Sequence, residues 1–214
     1  MTPAQLVQLA SQEESKITEA LFLNDEIPRK SVVFTAPNRR SGCSWIVARV
    51  ARNLAQRVRG SVCVLDANLR WPAQHELFWL ENTRGFLQAL ACRERISGYA
   101  QRISNTNLCV VPSGGCVEDS QTPFLAENFN SMFAVLKAEF DFLLVDCAAM
   151  KPSADAGVLG PLTDGAVLVI AANSTTRDTA ISTRITLEAA DVSIAGAILN
   201  KRTYPIPARI YQYL

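Results

Sequence analysis

The stretch Ser31 to Ser44, SVVFTAPNRRSGCS, decides how the chain is read. Val32, Val33 and Phe34 make a short apolar run of strand type. A polar loop follows, and it feeds a long amphipathic helix from Trp45 to Arg57. Strand, loop and helix in that order are the frame of a phosphate-binding loop, G-x-x-x-x-G-K-[ST]. On that pattern Gly42 and Ser44 take the last glycine and the hydroxyl position. Pro37 stands at the first glycine and Cys43 at the lysine. The frame is intact and its cation is missing.

The rest of the chain repeats the theme. The apolar runs SVCVL (61–65), LCVV (108–111), FLLV (142–145), GAVLVIAA (165–172) and a last one within 192–199 read as strands. Helical patterns occupy residues 1–25, 45–57, 123–139 and 179–190, and Gly60 reads as the C-cap closing the second. Continuously apolar strands alternating with amphipathic helices predict a mostly parallel sheet with helices on both faces, a three-layer α/β fold. Such sheets bind ligands beyond the carboxyl ends of their strands. Asp66, Asp146 and Asn200 end three of these runs, beside the loop. The sequence divides into an N-terminal helical segment, 1–30, and one domain, 31–214, with a short tyrosine-containing tail.

Composition excludes several function classes. The 214 residues carry a formal net charge of +1, which gives no field for nucleic acid. No apolar run is long enough to span a bilayer, so direct membrane insertion is not expected. The six cysteines form no C-x-x-C pair and the one histidine is His75, so neither zinc nor a disulfide framework is expected. Trp71, Phe78 and Trp79 read as packing residues.

The candidate site is built from residue types. The loop residues Pro37, Asn38, Arg39, Arg40, Ser41, Gly42, Cys43 and Ser44 offer amides and a helix N-terminus to phosphate. Ser44 and Asp146 are the hydroxyl and carboxylate that would serve magnesium. Asp66 can polarise a hydroxyl or water. Arg39 and Arg40 are the cations available to replace the lysine, because guanidinium binds phosphate oxygens bidentately. Cys43 at a helix N-terminus also admits thiol chemistry, since thiol pKa values fall there.

At this point the residues resemble a family, the bacterial tyrosine kinases of capsule and exopolysaccharide assembly. VCVLDANLRWPAQHELF is similar to their D-x-D-x-R…P-x-x-H motif, with Asp66, Asn68, Arg70, Pro72, His75 and Phe78 in place. LCVVPSG and FDFLLVDCAAM continue the likeness, the latter putting Asp146 on the third motif, and SADAGVLGPLTDGAVLVI carries Asp155 and Asp164. GAILN ends at Asn200, where the family borders the nucleotide base. The wider class is the Min/Par-like P-loop ATPases.

The resemblance implies a P-loop NTPase fold, ATP or ADP with magnesium as cofactors, and Asp66, Asn68 and Asp146 as catalytic positions. It implies a membrane polysaccharide co-polymerase, or chain-length regulator, whose cytosolic part is the partner. It also implies a cytoplasmic place peripheral to the inner membrane, and homo-oligomers. Tyr204, Tyr211 and Tyr213 stand for the tyrosine cluster these kinases phosphorylate. The departures fall on the chemistry: Cys43 for lysine, Asn68 for the second acid, and Cys147-Ala148-Ala149 after Asp146. They point to a degenerate pseudokinase regulating polymer export. The alternatives are an active autokinase with a rebuilt loop and a positioning or partition adaptor.

Overall fold

The computed structural model describes residues 3–24, 29–118, 121–151 and 153–202. In chain order the elements are α1 (Pro3–Phe22), β1 (Ser31–Thr35), α2 (Cys43–Arg57), β2 (Val62–Ala67), α3 (Gln74–Phe78) and α4 (Phe86–Cys92). A 3-10 turn at Ile96–Tyr99 leads to β3 (Gln101–Arg102) and β4 (Leu108–Val111). Then come α5 (Gln121–Phe124), α6 (Phe129–Glu139), β5 (Phe142–Cys147), α7 (Asp155–Leu159), β6 (Ala166–Ala171), α8 (Arg177–Glu188) and β7 (Ile194–Asn200). The sheet runs β3-β4-β2-β5-β1-β6-β7, and every pairing is parallel except β3 with β4.

Alternation along each strand feeds two cores. Val32 and Phe34 of β1 face one side with Val62, Val64, Leu144 and Val167. There they meet Ile46, Val47, Val50 and Leu54 of α2, and Leu21 and Phe22 of α1. Val33, Leu65, Val111, Leu143 and Val145 face the other side, against Phe86, Phe129, Phe133 and Leu136. This second core centres on an aromatic cluster, in which Phe124 and Phe129 meet edge-on with centroids 5.4 Å apart. The continuous apolar runs of β1, β2, β4, β5 and β6 are thus strands buried on both faces, as expected of a covered parallel sheet, while β7 is a half-exposed edge strand.

Helix α1 is tied to α2 by polar contacts as well as packing. Arg49 grips Glu14 with both arms, Nε to Oε1 at 2.6 Å and Nη2 to Oε2 at 2.9 Å. Arg52 donates to the Leu77 carbonyl at 2.6 Å and lies over the Phe78 ring at 4.4 Å, anchoring α3 to α2.

Several expectations are corrected. The 123–139 pattern is two helices, α5 and α6, because the chain turns at Leu125–Asn128 to bring Phe124 onto Phe129. Helix α2 ends at an extended Val58 (φ −115°), so Gly60 is not its left-handed cap. Gly60 is needed for close approach instead, since a Cβ there would lie 2.9 Å from the Asp141 side chain. That carboxylate accepts from the Ser61 amide at 2.7 Å. Trp79 is not a packing residue: it is 92% exposed. The short β3 and α7 carried too little periodicity to be read.

Leu54 is fully buried between α2 and the sheet. Leu54→Ala should cost about 2–5 kcal/mol, whereas Trp79→Ala should change stability by less than about 0.5 kcal/mol. Paired denaturant titrations check both.

Candidate functional site

The site lies at the carboxyl edge of the sheet, where β1, β2 and β5 end side by side. The register pairs Asp66 of β2 directly with Asp146 of β5, and both side chains are fully buried. Two carboxylates on adjacent strands without solvent must find donors or protons. Asp66 finds backbone. Its Oδ2 accepts from the amides of Ala73 at 3.0 Å and Gln74 at 2.9 Å, and its Oδ1 from Asn68 N at 3.3 Å. In this structure Asp66 therefore holds the start of α3.

Asp146 finds Gln74, whose Nε2 donates to Oδ2 at 2.7 Å and also to the Ser44 carbonyl at 3.0 Å. Gln74 thus ties the start of α3 to the start of α2 and to β5. No family motif in the sequence singled it out. Asp146 Oδ1 is buried and takes no hydrogen bond from a described residue meeting ordinary geometry. The Ser44 hydroxyl and Cys43 thiol are the side chains that approach this carboxylate from α2. An orphaned carboxylate oxygen beside a hydroxyl at a helix N-terminus fits a hard cation, and Ser44 and Asp146 are the residues that would hold magnesium.

Burial pushes Asp146 up to about 6, against the pull of Gln74, Ser44 and Cys43. Burial and the Asp146 charge together push Asp66 well above the carboxylate range, although three amides oppose them. Desolvation wins because no cation sits between the two carboxylates among the described residues. Cys43 is pushed up as well, by burial first and then by Asp146 and Cys147. The thiol-activation expectation is thereby corrected: desolvation and the neighbouring carboxylate both disfavour the thiolate at this helix start.

The loop itself is tightly made. Ser41 Oγ donates to the Asn38 carbonyl at 2.8 Å. The end of β7 holds the loop from outside, with Asn200 Nδ2 on the Ser41 carbonyl at 2.8 Å and Lys201 Nζ on the Arg40 carbonyl at 2.6 Å. Gly42 is required twice over. Its φ is +83°, and a Cβ there would lie 2.4 Å from Asn200 Nδ2. No side chain caps α2, which leaves its first amides for a ligand. Pro37 is buried under the loop, and Asn38 bridges to Lys151.

Neither arginine takes the lysine's place. Arg39 stacks on Trp71, 3.4 Å from the ring centroid, and Arg40 is exposed with a left-handed backbone, φ 62°. Asn68 lies in the neighbouring loop with its Oδ1 buried and unpartnered. Asn200 meets the loop backbone, a contact that its place at a strand end gave reason to expect. Asp155 is fully buried at the start of α7, both carboxylate oxygens without a partner among the described residues. Asp164 is remote from the site. Burial pushes it up, but the amides of Ser31 and Lys30, each 2.8 Å away, outweigh that and hold it below the usual carboxylate range. Tyr204, Tyr211 and Tyr213 lie outside the described residues. A groove of about 720 Å³ between Arg52 and Arg102 opens at the start of β4, away from these carboxylates.

No family model matches the chain. Over 183 residues it is 28% identical to the tyrosine-protein kinase YwqD of Bacillus subtilis, covering 86% of this chain and 77% of that one. Over 193 residues it is 26% identical to the putative tyrosine-protein kinase CapB of Staphylococcus aureus, covering 90% and 84%. The crystal structure of the chimerical protein CapA2B2 superposes with a TM-score of 0.83 at 21% identity, over 90% of this chain and 85% of that one. The septum site-determining protein MinD of Pyrococcus horikoshii, complexed with Mg-ADP, superposes with a TM-score of 0.66 at 19% identity, over 86% and 76%. The resemblance to bacterial tyrosine kinases is borne out, as is the P-loop NTPase fold.

Two predictions follow from the electrostatics. Because folding raises the pKa of Asp146 from 3.8 to about 6, the folded state holds its proton more tightly across that window. Its contribution is favourable below the lower value and is lost as pH rises through the upper one, at a cost of up to about 3 kcal/mol. Asp146→Asn should flatten the fall in stability between pH 4 and 7, measured by denaturant titration at each pH. Separately, Cys43 should react with iodoacetamide at pH 7.5 more slowly than a free thiol, read by mass spectrometry of the alkylated peptide.

Proposed function

We propose that this chain, similar in sequence and fold to bacterial tyrosine kinases, is a catalytically impaired member of that group. On this reading it regulates exopolysaccharide or capsule assembly by docking on the cytosolic part of a membrane co-polymerase, peripheral to the inner membrane. One observation carries the reading. At the position of the phosphate-clamping lysine stands Cys43, whose side chain approaches Asp146 and carries no positive charge in either protonation state. A neutral thiol cannot neutralise the β- and γ-phosphates as transfer proceeds, and clamps of this kind contribute several kcal/mol to the transition state.

The neighbouring positions support the same reading. Asp66 is engaged by three amides, and Asn68 stands where the resemblance places a second acid. Arg39 is stacked on Trp71. The site keeps a place for magnesium and loop amides for phosphate, and it lacks the charge that drives transfer. Nucleotide, if held, then acts as a ligand rather than as a phosphate donor. The polysaccharide role rests on the resemblance, supported by relatives named as tyrosine kinases that this chain covers over most of their length.

The test is transfer of radiolabelled phosphate from ATP, with the cytosolic part of the co-polymerase present. No label should appear on Tyr204, Tyr211 or Tyr213, and label lost in Asp146→Ala would overturn the reading. Cys43→Lys should increase the thermal shift given by magnesium-ATP, since a ligand at a hundred times its Kd stabilises by about 2.7 kcal/mol. For a domain of this size that is roughly 5–10 °C. Co-purification of the chain with the co-polymerase, and its absence with an unrelated membrane protein, checks the docking.

A further inference from the structure

The phosphate loop has Cys43 at the lysine position and is held from outside by the end of the last strand. Asn200 Nδ2 takes the Ser41 carbonyl at 2.8 Å and Lys201 Nζ takes the Arg40 carbonyl at 2.6 Å. These are consecutive peptide units. In a planar trans peptide the carbonyl and the following N–H point in opposite directions. Fixing the carbonyls of Arg40 and Ser41 toward β7 therefore turns the amides of Ser41 and Gly42 away from it.

The sheet order says where they turn. Strands β5 and β7 lie on opposite sides of β1, and the loop leaves from β1. Amides directed away from β7 are directed toward the β5 side, where Asp146 ends its strand beside Ser44 and Cys43. There Asp146 Oδ1 is fully buried and takes no hydrogen bond of ordinary geometry among the described residues, an oxygen that suits a cation accompanying a polyanion. The clamp is also sterically exact in its demand on the loop. Gly42 stands 2.4 Å, from its would-be Cβ, to Asn200 Nδ2, and Lys201 itself takes a left-handed backbone, φ 57°.

We propose that Asn200 and Lys201 form an external clamp that orients the loop amides of Ser41 and Gly42 to bind the polyphosphate of a magnesium-nucleotide. Lys201 is a positioning residue in this arrangement, and it adds a positive charge one peptide away from the anion. The proposal deepens the reading of the chain as a non-transferring relative and rests on it for the ligand class. It assigns to the far end of the sheet the loop-ordering charge that Cys43 does not supply.

The experiment measures equilibrium binding of magnesium-ATP, and separately of tripolyphosphate, to the full chain and to Lys201→Gln and Lys201→Arg. Lys201→Gln should weaken both ligands by roughly tenfold to a hundredfold, the range of one charge-assisted hydrogen bond. Lys201→Arg should stay within about threefold of the parent. Lys201 is exposed, so the unliganded thermal midpoints of both variants should match the parent. Equal or tighter binding by Lys201→Gln would overturn the proposal, making the lysine a bystander or a plug. So would a weakening matched by a fall in the unliganded midpoint, or a parent that binds neither ligand at millimolar concentration. Phosphate transfer to a tyrosine would sink the non-catalytic reading and leave this comparison of affinities standing.

Discussion

Two buried carboxylates set the terms for the carboxyl edge of this sheet. Asp66 and Asp146 are register partners on adjacent parallel strands, and neither reaches solvent. Burying one unpaired carboxylate is costly, and a second beside it raises the cost. The surrounding chain is arranged to supply donors. Residues 68–74 fold back so that three amides meet Asp66, and that turn starts α3. Gln74 then stands where its Nε2 can bridge Asp146 and the Ser44 carbonyl, which fixes α2 against β5. The placement of α3, and through Arg52 its contact with α2, is a consequence of satisfying the pair.

The loop between β1 and α2 is shaped by a complementary need. Its amides are left open at the helix start, and its carbonyls must be satisfied elsewhere. Ser41 satisfies one internally, and Asn200 and Lys201 satisfy two more from β7. Parts of the chain separated by 159 and 161 positions therefore decide the shape of the loop together. Gly42 records this constraint in the sequence, because any side chain there would collide with Asn200.

Much of the fold was legible because its strands are buried on both faces and read as unbroken apolar runs. Strands β1, β2, β4, β5 and β6 carry that signal, the half-exposed edge strand β7 still reads as an apolar run, and Asp66, Asp146 and Asn200 announce themselves as polar residues ending such runs. What escaped reading lacks periodicity. The two-residue strand β3, the five-residue helix α7 and the break between α5 and α6 are set by tertiary contacts. In the site, Gln74 and Lys201 gave no local sign, since each acts on residues far away in sequence. Arg39 misleads for the same reason: its charge is local, but Trp71 from another loop takes its guanidinium.

The two main departures from the family pattern make physical sense as a pair. Replacing the loop lysine by Cys43 removes one positive charge from a buried cluster that already contains Asp66 and Asp146. Replacing the second acid by Asn68 removes one negative charge from the adjoining loop, where Asn68 Oδ1 is buried without a partner among the described residues. Either change alone would alter the net charge of a poorly solvated site, and an uncompensated buried charge costs several kcal/mol. Together they leave that net charge unchanged. Burial, with no cation opposite among the described residues, pushes Asp146 up to about 6. On the reading proposed above, the compensation preserves folding while removing charge that phosphoryl transfer would use. A site built this way keeps its charge balance and its presented loop amides together.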